Sequence, residues 1–296
     1  MRRAKLFVAA GVAAMVVGMT AQYLVAKRHE LVQKVGTHGR VNWSNGIIYA
    51  KWVGAASRKF GKNTRAGSTA QKVEMAAYSN LLETVKDMRI DSSTSVKDFM
   101  EKHDVIRSQV EAVIKGAEVA KREYLSDGTV EVTLALKLTG GFAQLILPQD
   151  IKHVREVKTI PKTAAKEQKP VAAPEPSMPA PAPAAYTGLV LDARGLKGRP
   201  AMSPRIIDEE GREVYGSAYV SREFAVQHGM AAYWKDLKAA QKHQRVSGNP
   251  LTVRGLRIGG TGRCDFVISN AHASKIRGAS ENLLFLKKCR VIIVLD

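Results

Sequence analysis

Residues 129–138 alternate without a break. Val130, Val132, Leu134, Leu136 and Leu138 take one parity; Thr129, Glu131, Thr133, Ala135 and Lys137 take the other. That period of two predicts a strand with one buried face. Asp127-Gly128 stands just before it and is a tight-turn dipeptide, so a hairpin is expected, with its first strand over Val119–Tyr124. Upstream the period lengthens. Ala70, Val73, Ala77, Leu81, Val85 and Met88 recur every three or four residues, the buried face of a helix, and Ser68 and Gln71 have capping-box spacing at its start. Phe99, Ile106, Val110 and Val113, with Val105 and Ile114 widening the stripe, predict a second helix. Ile47–Ala50 predicts a short strand. Two helices on one face of an antiparallel sheet make a small α+β sandwich.

The pattern stops at residues 159–185, a Pro/Ala tract that ends Pro179-Ala-Pro-Ala-Pro183. Proline fixes φ and removes backbone donors, so an extended spacer is expected there, a tether between two bodies. Beyond it, Leu189–Leu191, Leu251–Ile258, Cys264–Ile268 and Val291–Leu295 predict strands. Arg205–Asp208 and Arg212–Tyr215 flank Glu210-Gly211 as a hairpin. Ser221–Lys242 predicts a helix that Gly229 can break, and Ser269 or Asn270 is placed to cap another running through Ile276. The second body therefore also reads as α+β. The expected fold class is two small α+β sandwiches with largely antiparallel sheets.

The N-terminus reads differently. Arg2, Arg3 and Lys5 precede Leu6–Ala26, which carries no charge. A basic start before a long apolar run suits an uncleaved signal-anchor, a single transmembrane helix with the rest of the chain exported, since spanning takes about 20 apolar residues. The rival reading is a signal peptide removed on secretion to the periplasm; Met19 and Leu24 make poor −3 residues for cleavage after Ala21 or Ala26. The organisation expected is 1–26 anchor, 27–158 first domain, 159–185 linker and 186–296 second domain.

Charge narrows the partners. The net charge of +19 is spread over both bodies, +7 in 27–158 and +8 in 186–296, with acidic residues interspersed. Nucleic-acid binders concentrate their cations on one face or tail, so nucleic acid is not an expected partner. An anionic envelope polymer is one.

Chemistry is sparse. The seven histidines show no metal-ligand spacing, and neither a metal nor another cofactor is expected. Gly259-Gly260-Thr261-Gly262-Arg263 lacks the Lys-Ser/Thr of a phosphate loop and leads into a strand, so an inter-strand turn is expected. Asp265, Ser269 and His272 have the residue types of a hydrolytic triad but no nucleophile elbow around them. Cys264 and Cys289 are a candidate disulfide in an oxidising compartment, or else two buried thiols. Arg194, Arg199 and Arg205, in loops beside a strand that ends in Asp192, are the candidate anion- or partner-binding residues; an ion pair of Arg194 with Asp192 is the alternative.

Residues 40–150 carry a spread pattern: Ala76-Ala-Tyr-Ser-Asn-Leu-Leu82, Val85–Ser92, Val119–Tyr124 and Asp127–Val132. This resembles the domain of a family of small outer-membrane lipoproteins of flagellated bacteria, and of periplasmic proteins that build rings and disks around the flagellar motor. The resemblance implies a non-enzymatic role and supplies no catalytic residues. The lipidated Cys of those lipoproteins is absent. The expected protein is thus not an enzyme but a structural or assembly component of the cell envelope, anchored in the inner membrane with periplasmic domains. Its expected partners are envelope proteins, flagellar basal-body components and further copies of itself. The alternative is a binding module for peptidoglycan or another anionic polymer.

Overall fold

The computed structural model describes residues 29–55, 65–151, 186–278 and 280–296. In the first body, strands β1 (Val32–Val35), β2 (Gly39–Asn42) and β3 (Ile47–Ala55) form a meander. β4 (Glu118–Tyr124) and β5 (Thr129–Lys137) are the expected hairpin, turned at Gly128 with φ +83. The sheet order is β1-β2-β3-β5-β4, antiparallel throughout. Helix α1 (Arg65–Lys86) lies over β3 and β5 and buries Val73, Ala77, Leu81 and Val85. It starts at Arg65, so Ser68 and Gln71 fall inside it rather than at its cap. A capping box forms instead at Ser95 and Asp98, opening α2 (Val96–Lys102). His103, with φ −138 and ψ 90, breaks the expected second helix in two, and α3 (Asp104–Lys115) follows. α3 buries Val110 and Ile114 and leaves Val105 in solvent. A short α4 (Gly141–Ile146), not anticipated, adds Phe142, Ala143 and Ile146 to the core.

The second body holds β6 (Gly188–Asp192), the hairpin β7 (Arg205–Ile207) and β8 (Glu213–Tyr215), α5 (Arg222–His228), β9 (Ala232–Trp234) and α6 (Leu237–Lys242). β10 (Pro250–Gly259), β11 (Asp265–Ile268), α7 (Asn270–Arg277), α8 (Ser280–Lys287) and β12 (Val291–Val294) complete it. The fold class is α+β, as expected, but this second sheet is mixed. In the order β8-β7-β11-β10-β6-β12-β9, antiparallel pairing is confined to β7–β8 and β10–β11; the other four pairings are parallel. Helices α5 and α6 carry the chain back between strands of the same direction, β8 to β9 and β9 to β10, which a tight turn cannot do. The expected helix over 221–242 is likewise corrected. Gly229 at φ +74 ends α5, and Tyr233 is drawn into the sheet as part of β9, parallel to β12.

Strand β12, and β6 up to its terminal Asp192, are apolar because both of their faces are covered. Leu189, Leu191, Val291 and Ile293 belong to the main core, while Val190, Ile292 and Val294 pack with Ala232, Ala240 and Val246 on the other face. The main core does not stop at the body boundary. Trp43, Leu81, Leu134 and Phe142 of the first body join Tyr233, Phe266 and Ile293 of the second in one cluster.

Backbone hydrogen bonds tie the two bodies at three places. Met202 N donates to Arg89 O (3.1 Å), Ser203 N to Ile90 O (2.7 Å) and Gly262 N to Ser92 O (2.8 Å). Gly140 N donates to Val226 O (2.8 Å), and beside it Arg222 donates to the carbonyls of Gln144 and Pro148, both at 2.9 Å. Lys235 N donates to His29 O (2.9 Å), and Ser44 Oγ to Tyr233 O (2.5 Å). The second body is therefore docked on the first rather than held at a tether's reach. The linker itself lies outside the described residues.

Candidate functional site

Where the bodies meet they leave a cleft of about 890 Å³. The first body supplies Glu30, Trp43–Gly46 and Leu138 with the base of α4; the second supplies the end of α5, Trp234, His243–Arg245, Lys288 and Arg290. Clefts of this size at body junctions are the usual place for a bound ligand. Trp43 stands edge-on to Tyr233, ring centres 5.6 Å apart, with its indole N–H on Gln33 Oε1 at 2.8 Å. Both partners are fixed from behind: the Tyr233 hydroxyl donates to Ala201 O (2.7 Å) and accepts from Ala201 N (3.1 Å).

Arg245 is the unusual member. Its Nε donates to Cys289 O at 2.7 Å, its Nη1 to His228 O at 3.0 Å, and its Nη2 to Gly229 O. These carbonyls terminate α5 and precede β12, so the side chain is locked by backbone from two elements. No carboxylate pairs with it among the described residues. Burial lowers its pKa, a shift that the neighbouring Tyr215 and Cys289 partly offset, yet a guanidinium stays protonated at neutral pH. By contrast, the three buried aspartates of this body are each matched to arginine: Asp192 to Arg194, Asp208 to Arg212 and Arg277, Asp265 to Arg205. Arg222 also rests on carbonyls alone, but it is shut inside the seam and does not line the cleft.

Two further groups frame Arg245. His243 Nδ1 accepts from Arg245 N at 3.1 Å, so the ring is the neutral tautomer with its proton on Nε2. Burial, then the charge of Arg245, lowers the His243 pKa in the same sense. Trp234 packs against that ring, 5.1 Å between centres, and its buried Nε1 has no hydrogen-bond partner among the described residues. Lys288 and Arg290 stand exposed at the rim. The one carboxylate of the lining, Glu30, is engaged by Asn42 Nδ2 at 2.7 Å.

The residues singled out from sequence lie elsewhere. Arg194 forms a two-pronged pair with Asp192 (2.8 Å each), the alternative considered for it. Arg205 grips Asp265 at 3.2 and 2.5 Å and reaches Ser92 Oγ of the first body at 3.3 Å, which makes it part of the seam. The backbone N–H of Arg199 donates to Arg263 O. The candidate disulfide is corrected: Cys264 and Cys289 are free and fully buried, and burial raises both thiols to about 11. Cys264 Sγ points to Gly262 O at 3.1 Å, while Cys289 lies beside Tyr215 and Arg245. Asp265, Ser269 and His272 form no triad. Ser269 caps α7 by accepting from His272 N and its Oγ also lies 3.0 Å from His272 Nδ1, but Asp265 faces Arg205 instead of the imidazole, so the third member is missing. The Gly259–Arg263 turn is inter-strand, as expected, and its glycines let it press on the Asp91–Ser92 loop.

Residues 188–296 match the family model described as Treponema pallidum Tp0624, second domain. The match begins at β6 and lies wholly in the second body, so the resemblance of residues 40–150 to flagellar lipoproteins gains nothing from it. No curated protein matches the chain. The reading as a membrane-anchored, flagellum-associated envelope protein is corrected. Among the described residues no helix is long and apolar enough to cross a membrane, and the apolar run 6–26 lies outside them.

Proposed function

We propose that this protein is a non-enzymatic binding protein whose junction cleft takes a segment of an anionic, hydroxylated polymer of the peptidoglycan kind. The observation that carries the reading is Arg245: a guanidinium fixed by three carbonyls, without a carboxylate, on the wall of a cleft between two docked bodies. A half-buried cation of this kind is costly to leave uncompensated, and a bound anion compensates it. Trp234 and Phe224, both partly exposed, add apolar surface on which a sugar ring rests, and the net charge of +19 favours approach to a polyanion. Catalysis has less behind it, because the acidic and nucleophilic side chains weighed from the sequence are occupied in ion pairs and helix caps.

The test is sedimentation of the full chain with insoluble peptidoglycan, with chitin as the uncharged comparison. The protein is expected in the pellet with peptidoglycan, in the supernatant with chitin, and to be released by about 0.5 M salt, where screening shortens to a few ångströms. Protein that stays in solution with both polymers defeats the binding reading and leaves an assembly role through protein contacts.

A further inference from the structure

We infer that the cleft selects its ligand by a two-oxygen anion, a carboxylate or a phosphodiester on a hydroxylated chain, seated on Arg245, and rejects the neutral form of the same chain. The inference rests on the cleft-binding reading above and adds the chemical group that is recognised.

Counting donors leads to it. A guanidinium has five N–H bonds. Three are taken, one by each of the carbonyls of Cys289, His228 and Gly229. Two remain, one on Nη1 and one on Nη2. Each can donate to an oxygen of a bound anion, a charge-assisted bond of the kind Arg makes with carboxylate or phosphate. The carbonyls also fix the plane of the group, so little order has to be imposed on it at binding.

The surroundings have the same polarity. His243 presents its remaining proton on Nε2, Trp234 has an unmatched N–H, and Lys288 and Arg290 make no ion pair among the described residues. Apart from the exposed Gln244 amide, the groups of the 234–290 wall that lack partners are thus donors. An anion brings the acceptors that suit them. An amide or ester in its place offers no charge, and an amide N–H₂ would face donors. Phe224, partly exposed in the lining, is left for the uncharged part of the chain.

Titration by tryptophan fluorescence, with calorimetry in parallel, tests this on the full-length protein. The probes are tetragalacturonate, its methyl ester and a glycerol-phosphate oligomer of similar length. The acid is expected to bind about 10- to 100-fold more tightly than the ester, the range for a lost charged hydrogen-bond pair. Arg245→Lys keeps the charge and loses the fork, and should weaken the acid by a similar factor while leaving the ester unchanged. Because Arg245 also supports α5, exposed Arg290→Gln serves as a second variant; it is expected to fold normally and weaken the acid roughly 2- to 5-fold. Preference for the glycerol-phosphate oligomer would identify the anion as a phosphodiester and uphold the inference. Equal binding of acid and ester overturns it and leaves the cleft reading standing. Failure of every probe while peptidoglycan still sediments the protein overturns it too; failure of both experiments removes the cleft reading itself.

Discussion

Gly262→Ala puts the docking of the two bodies to a quantitative test. A Cβ built at residue 262 would lie 2.6 Å from Ser92 O, 2.6 Å from Arg89 Nη2 and 2.8 Å from Ser92 Cα. Two of these three atoms are backbone, and the Arg89 guanidinium is tied down by its own bonds to Asp91 O and Ser92 O. Neither side can yield alone. Ser92 O accepts from Gly262 N (2.8 Å), Thr261 Oγ (3.1 Å) and Arg89 Nη2 (2.9 Å), so backing the turn away gives up at least one seam hydrogen bond. Overpacking of this kind costs about 1–3 kcal/mol and a lost hydrogen bond about 1 kcal/mol. The sum, about 2–4 kcal/mol, should appear as a lower midpoint in urea unfolding of the full chain. Trp43 and Trp52 report on the first body and Trp234 on the second. With the bodies docked, fluorescence and circular dichroism should shift together. Gly141→Ala is the control: its Cβ meets nothing within 4 Å, at the first residue of a helix. A Gly262→Ala loss below about 0.5 kcal/mol, within the range of ordinary surface substitutions, would refute the seam as described.

Tyr233→Phe removes a hydroxyl that both donates to and accepts from buried Ala201, so it should cost about 2–3 kcal/mol in the same urea assay; a neutral result would mean that the pair is not formed. Asp208 is held at about 2, because hydrogen bonds from Arg277 and Arg212 outweigh a burial effect that alone would raise it. Its folded pKa lies below the unfolded value of about 3.9, so its contribution is complete above pH 4 and disappears as the pH falls toward 2. Urea midpoints between pH 5 and 2 should therefore fall less steeply for Asp208→Asn than for the wild type, and parallel curves would contradict this. Both thiols, buried and raised to about 11, should resist an aromatic disulfide reagent at pH 8 until urea is added, when both react. An unreduced chain lighter by two hydrogens in mass spectrometry would show a disulfide instead.

What the sequence revealed depended on how local each signal was. The alternation at 130–138 and the Asp127-Gly128 turn were readable because one strand and one turn contain the whole pattern, and the buried face of α1 was readable for the same reason. The split at His103 carries no glycine or proline to mark it. The run 221–242 looked helical because Tyr233 and Trp234 suit either period; burial against β12, some 60 residues on, decided for a strand. Gly36 and Gly39, three positions apart, were the signal that could have revealed the β1–β2 hairpin. Parallel strand order has no local mark at all, since it is set by where the crossover helices return the chain. The cleft was the least legible part. Its lining comes from segments around 30–46, 138–147, 224–245 and 288–290, and the partners that single out Arg245 are backbone carbonyls, which any residue could supply. Arg194 and Arg205 drew attention because they sit near acidic residues; that proximity is what commits them to ion pairs.

The indole N–H resonances of the three tryptophans give the most direct test of the cleft as an anion site. Trp43 Nε1 is already bonded to Gln33, Trp234 lines the cleft with its Nε1 buried and without a partner, and Trp52 lies outside the cleft beside His38. On titration of the ¹⁵N-labelled chain with tetragalacturonate, the Trp234 signal should move most as the ligand settles against its ring, Trp43 should shift less, and Trp52 should stay in place. A Trp234 signal that stays fixed at saturating ligand, or one that moves no more than Trp52, would contradict the account.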